Sequence, residues 1–136
     1  MNSPSLEVAQ AVRDATDEMV NAGDMGMATD GTLSGACGDV SIVLWRMLGT
    51  DATRLVTGQY NSLNHAWIYV PDSDEIIDLT ATQFGERPRV FVADSWHFYR
   101  PYYVMHERVT KVGRSTWGDS GWRARLKKKA ERKLQG

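Results

Sequence analysis

The sequence predicts an α+β domain in which N-terminal helices pack on an antiparallel sheet. Three observations predict it. Apolar residues recur at helical spacing up to Leu48, strand-like β-branched and aromatic runs follow from Thr53 onward, and the two kinds of segment do not alternate as they would around a parallel sheet. With 136 residues, 42% of them hydrophobic, the chain suits a single core rather than two. Residues 1–112 are assigned to that domain and 113–136 to a basic tail or short helix.

Ser3-Pro4 offers an N-cap followed by proline at the first helical position. Leu6, Ala9, Val12, Thr16, Met19 and Val20 then form a helical stripe, and Asn21-Ala22-Gly23 a stop. Gly23 to Gly35 has no periodicity and reads as a loop, long enough to suggest function. Ala36 to Leu48 is helical again and apolar around most of its circumference, so burial on most sides is expected, with Gly49 as terminator. Strands are expected over Thr53–Thr57, His65–Val70, Glu75–Leu79, Arg89–Ala93 and Tyr102–Glu107. The turn residues Pro71-Asp72-Ser73-Asp74 make a hairpin of the second and third.

Charge is unevenly placed. The stretch from Arg123 to Lys133 carries seven bases and one acid, whereas the rest of the chain carries nine bases and sixteen acids, although the whole carries only −1. Such a tail suits an acidic partner, a nucleic acid or an anionic membrane, or else lies on the acidic body. Trp122, Leu126, Ala130 and Leu134 recur every four residues, as in a short amphipathic helix. No apolar run is long enough to cross a bilayer. Met1-Asn2-Ser3-Pro4 lacks a basic, apolar leader, so a cytoplasmic protein, or one exported without a conventional signal peptide, is expected.

The single cysteine excludes an internal disulfide and a cysteine-rich metal site. A lone cysteine is most often a small buried hydrophobe, but Cys37 stands where the loop becomes helix, between Gly35-Ala36 and Gly38. A helix start presents free N–H groups and positive potential, which favour a thiolate. His65 opens an apolar strand, where an imidazole can be held rigidly as a general base. Asp78 interrupts the apolar run Ile76-Ile77-Asp78-Leu79, and a buried carboxylate needs a partner. Around the Pro71–Asp74 turn, Asp78 falls opposite Trp67 and within two residues of His65, a diagonal within reach across a sheet. Cys37, His65 and Asp78 are therefore the candidate catalytic triad.

These residues resemble the papain-like superfamily, and most closely its transglutaminase-like branch. The likeness covers Gly35–Phe84: Cys37 followed by a helix ending in Gly49, then His65-Ala66-Trp67 with Tyr69-Val70, then Ile77-Asp78-Leu79-Thr80. It resembles the corresponding stretch of small transglutaminase-like peptidases such as the lasso-peptide leader peptidases, and arylamine acetyltransferases share the Cys/His/Asp plan. The resemblance implies a papain-like/transglutaminase-like core and a thiol-dependent hydrolase that cleaves an amide bond, a peptidase working on a peptide or protein through a thioester and without a cofactor. A deamidase or transglutaminase-type acyl transferase is the second reading. A non-catalytic interaction protein using its basic tail is the third.

The papain pattern places a glutamine a few residues before the nucleophile, where this chain has Gly31. The oxyanion donors are then sought in the backbone N–H of Cys37 and the side chains of Gln59, Asn64 and Gln83. Gly35, Trp67 and Trp96 are the candidates for the substrate cleft. Asp39 reads as a first-turn acid that favours the helix dipole. Trp96, His97, Phe98, Tyr99, Tyr102 and Tyr103 read as packing aromatics, and His97 and His106 lack companions at metal-ligand spacing.

Overall fold

The structure, a computed structural model, describes residues 3–24, 37–60, 63–84, 87–94, 103–110, 112 and 121–136. It is α+β, with three helices and a five-stranded antiparallel sheet among the described residues. Helix α1 spans Ser3–Asn21 and α2 spans Cys37–Leu48. Strands β1 (Arg54–Tyr60), β2 (Leu63–Val70), β3 (Glu75–Asp78), β4 (Phe91–Asp94) and β5 (Tyr103–Val109) follow, with a short 3-10 turn, Ala81–Phe84, between β3 and β4. Helix α3, Trp122–Gln135, comes last. The expected loop before Cys37 lies almost wholly outside the described residues, as do Gly31, Gly35 and the aromatic run Trp96–Tyr99.

Sequence punctuation sets the helix ends. Gly23 takes φ 75° after α1 and its neighbour Asp24 donates its N–H to the Met19 carbonyl, which closes the helix. Gly49 takes φ 108° after α2, and its carbonyl accepts from the N–H groups of Ala52 and Thr53. In both places a side chain would strain the backbone. The α1 stripe is buried at Ala9, Val12, Thr16, Met19 and Val20, whereas Leu6 is exposed.

The sheet order is β4-β3-β2-β1-β5. Three successive hairpins build it, and β5 then crosses back to the free edge of β1. The β2–β3 register pairs Ile68 with Ile77 and Tyr69 with Ile76, the register the Pro71–Asp74 turn implied. Asp74 adopts φ 53°, a conformation aspartate tolerates in turns, and accepts a 2.7 Å hydrogen bond from the Tyr69 hydroxyl. Strand β1 runs three residues further than its β-propensity suggested, because β2 and β5 hydrogen-bond it on both sides. Its pairing with β5 slips at Thr57/Gly58, where Glu107 and Met105 are successive partners and His106 is bulged out.

The two faces of the sheet carry different cores. Leu55, Ile68, Ile77 and Leu79 meet α1, α2 and α3 in the main core. Val56, Trp67 and Ile76 form a smaller cluster with Tyr69, Phe84, Phe91 and Ala93. The basic C-terminal stretch is a helix that contributes to the main core. Leu126 and Ala130 are fully buried there, and burying one leucine stabilises by roughly 2 kcal/mol. Lys129 and Lys133 pair with Glu18 of α1 at the surface, where such pairs contribute little. No helix among the described residues is long and apolar enough to cross a membrane.

Candidate active site

Helix α2 approaches the sheet with its first turn over the start of β2. The Ser41 hydroxyl donates to the Ala66 carbonyl at 3.2 Å, which fixes the approach one turn after Cys37 and one residue after His65. Cys37, the first residue of α2, is partly exposed, and its thiol makes a side-chain hydrogen bond with the His65 imidazole.

The His65 side chain is fully buried, and its Nε2 lies 2.7 Å from Asp78 Oδ2. The other carboxylate oxygen, Oδ1, accepts from the Thr80 backbone N–H at 2.9 Å and from the Thr80 hydroxyl at 3.3 Å. The Asp78 carboxylate is thus hydrogen-bonded at both ends. One oxygen is held by the backbone and the other is presented to the imidazole. Phe84 meets the His65 ring edge-on at a centroid distance of 4.7 Å, and Trp67 flanks it at 5.9 Å. These aromatic contacts pack against the ring and help to keep water from it.

Burial alone would push the imidazole towards its neutral form. The Asp78 charge and hydrogen bond, and then Cys37, outweigh burial and raise His65 from 6.5 to about 10. At neutral pH the ring is therefore an imidazolium. Because Nε2 faces Asp78, Nδ1 remains for proton exchange on the thiol side. The Gln83 side-chain nitrogen is 3.4 Å from Nδ1 and is oriented by donating to the Thr80 carbonyl at 3.0 Å.

A raised histidine makes stability depend on pH with a definite sign. The contribution is fully present below the unfolded value of 6.5 and is lost as pH rises through about 10. Urea unfolding of Cys37→Ser, which removes thiol titration from this range, is expected to lose on the order of a few kcal/mol between pH 6.5 and 10. In the Cys37→Ser/His65→Gln double variant the same range should be nearly flat.

The other expected residues fare unevenly. Gln83 reaches the imidazole. Gln59 and Asn64 pair with each other one step beyond the Gly58–His65 pair, half-buried and exposed respectively. Trp67 is fully buried beneath His65, so it supports the ring instead of lining an open cleft. Gly35 and Trp96 lie outside the described residues. Among the described residues no three His, Cys, Asp or Glu side chains converge as a metal site.

Two arginines that the sequence did not single out brace the site. Arg13 of α1 is buried, and its Nη1 donates to the carbonyl of Leu79 at 2.6 Å, just after Asp78. The same nitrogen donates to the Thr82 hydroxyl at 3.2 Å, while Nε pairs with Asp17 at 3.0 Å. Arg123 of α3 pairs through Nε with Asp39 Oδ1 at 2.7 Å, both side chains being over nine-tenths buried at 4% and 2% exposure. Asp39 is two residues after Cys37. A sequence signal existed for each: Arg13 sits beside the apolar stripe at Val12, and Arg123 is a cation in a helix's first turn, where the dipole disfavours it. Compared with known proteins, the chain matches no protein-family model, no curated protein and no solved structure.

Proposed function

We propose that the protein is a cysteine peptidase of papain-like or transglutaminase-like type, a thiol hydrolase that cleaves an amide bond through Cys37, His65 and Asp78. The observation that carries this reading is the buried His65, held between a backbone-anchored carboxylate and the thiol at the start of a helix. A structural cysteine has no need of an imidazolium beside it. A nucleophilic one does, because the positive ring favours the thiolate.

The chemistry follows from the charge states. The Cys37 thiolate attacks the carbonyl carbon, and the new C–S bond places negative charge on the carbonyl oxygen. The Cys37 backbone N–H and the Gln83 amide are the donors suited to receive it. The imidazolium gives its Nδ1 proton to the leaving nitrogen as the C–N bond breaks, leaving a thioester and a neutral ring. Water then attacks the thioester, His65 takes its proton, and the carboxylic acid departs with the thiolate restored. Asp78 fixes the ring's orientation throughout.

Alkylation of Cys37 tests the core of this reading. Iodoacetamide is expected to label the folded protein near neutral pH about ten-fold faster than an ordinary thiol, which is only a few per cent thiolate there. His65→Ala should bring the rate down to the ordinary value. Labelling no faster than a free thiol, and indifferent to His65→Ala, would overturn the proposal. With a peptide library, new termini mark hydrolysis, whereas side-chain deamidation or amine incorporation marks the acyl-transfer variants of the same chemistry.

A further inference from the structure

We infer that Arg123 is a positioning residue for the Cys37 thiolate: from α3 it neutralises Asp39 inside the first turn of α2, so that the start of that helix keeps its positive potential. The inference rests on the thiol reading above and extends it to the C-terminal helix.

Asp39 poses an electrostatic problem. A carboxylate in a first turn suits the helix dipole, but this one is buried two residues from a sulfur that works as an anion. A buried negative charge so close disfavours a second one. Arg123 resolves the conflict at 2.7 Å. Its own placement is locally unfavourable, because α3 has no acidic residue in its first turn and Arg123, its second residue, is a cation at the positive end of the dipole. The position makes sense as a reach across to Asp39, 84 residues away in sequence. The packing of Leu126 and Ala130 in the main core sets α3 in place for that reach.

Other charged groups stand on the elements packed against α2, and on α3 itself Arg125 follows Arg123 in the first turn. His65 comes from β2, with Asp78 behind it on β3 and Arg13 of α1 behind that. On β1 the charged residue is Arg54, which pairs with Tyr69 at the far end of the strand. Exchanging Asp39 and Arg123 therefore changes the local charge and leaves the triad's own groups in place.

The test is the pH profile of Cys37 alkylation by iodoacetamide in the full chain, read alongside the thermal midpoint. Arg123→Met leaves an uncompensated carboxylate in the same helical turn as the thiolate, so the alkylation midpoint should rise by about one pH unit. Asp39→Asn leaves a guanidinium, so the midpoint should fall. The Asp39→Asn/Arg123→Met double variant removes both charges and should return to the wild-type midpoint. A merely structural brace would lower the thermal midpoint in both single variants without moving the alkylation midpoints in opposite directions. Unchanged midpoints, or shifts of one sign in both, would overturn the inference. If Arg123→Met does not fold, the downward shift of Asp39→Asn and its cancellation in the double variant still decide the matter. The readout is thiol ionisation, which is measurable whether or not the chain cleaves an amide. Failure of the parent reading would appear separately, as alkylation indifferent to His65→Ala.

Discussion

Asp78→Asn is expected to cut turnover of an amide substrate on the order of 10⁴-fold, the scale of a triad whose imidazole carries its proton on the wrong nitrogen. The geometry explains why so small a change has so large an effect. The side chain must still offer an acceptor to the Thr80 backbone N–H, which now donates to Oδ1 at 2.9 Å. The asparagine carbonyl takes that place, and its NH2 group turns towards His65 Nε2. Two donors cannot face each other, so Nε2 gives up its proton and the ring becomes the neutral Nδ1–H tautomer. Nδ1 is then occupied on the side where the thiol proton must be taken, and the imidazolium is no longer favoured. Alkylation of Cys37 at pH 7 should drop by about ten-fold, to the rate of an ordinary thiol. Wild-type labelling in Asp78→Asn would show that the carboxylate has no hold over the sulfur.

The second large effect is on stability. Arg13→Met is expected to cost about 3 kcal/mol, seen as a lower urea midpoint with an unchanged slope. Burial holds the guanidinium below its ordinary pKa, with the neighbouring Asp17 charge pulling the other way. The group remains a cation, bound to three oxygens from the segment that follows Asp78: the carbonyls of Leu79 and Arg89 and the hydroxyl of Thr82. Methionine fills much of the same volume but leaves the Leu79 carbonyl buried without its donor. A loss below 1 kcal/mol would mean that water or a rearranged Arg89, which already pairs with Asp14 and Asp17, can replace Arg13.

The sheet and the meeting of Asp78 with His65 were legible because their signals are local. Pro71–Asp74 fixes one turn, and a period of two then decides which residues share a face. From that turn the Ile68–Ile77 register follows, and with it the approach of Asp78 to His65. The end of β1 was less legible. Gly58 and Gln59 are weak strand formers, and only pairing on both sides carries the strand to Tyr60. The roles of Trp67 and the two arginines were not legible. Alternation puts Trp67 on the face of His65, but only the packing of Phe84, Phe91 and Ile76 decides that this face is closed. Arg13 and Arg123 act on partners far away in sequence, and a run of bases such as 123–133 looks like a solvated surface until one of them is found inside. The resemblance to papain-like proteins bears only on the order of Cys37, His65 and Asp78 in the sequence and carries no expectation for α3.

Proteins are made from the N-terminus, and this gives the Asp39–Arg123 pair a consequence in time. A growing chain can release α2, the β2–β3 hairpin and all three triad side chains from the ribosome while Arg123 is still unmade. Throughout that interval Asp39, in the same helical turn as Cys37, lacks Arg123, and α3 is missing from the core. On the reading proposed above, the emerging polypeptide would hold a subdued thiol among the exposed peptide bonds of its own and neighbouring nascent chains. On that reading, full reactivity would arrive only once α3 has been made and packed against α1 and α2.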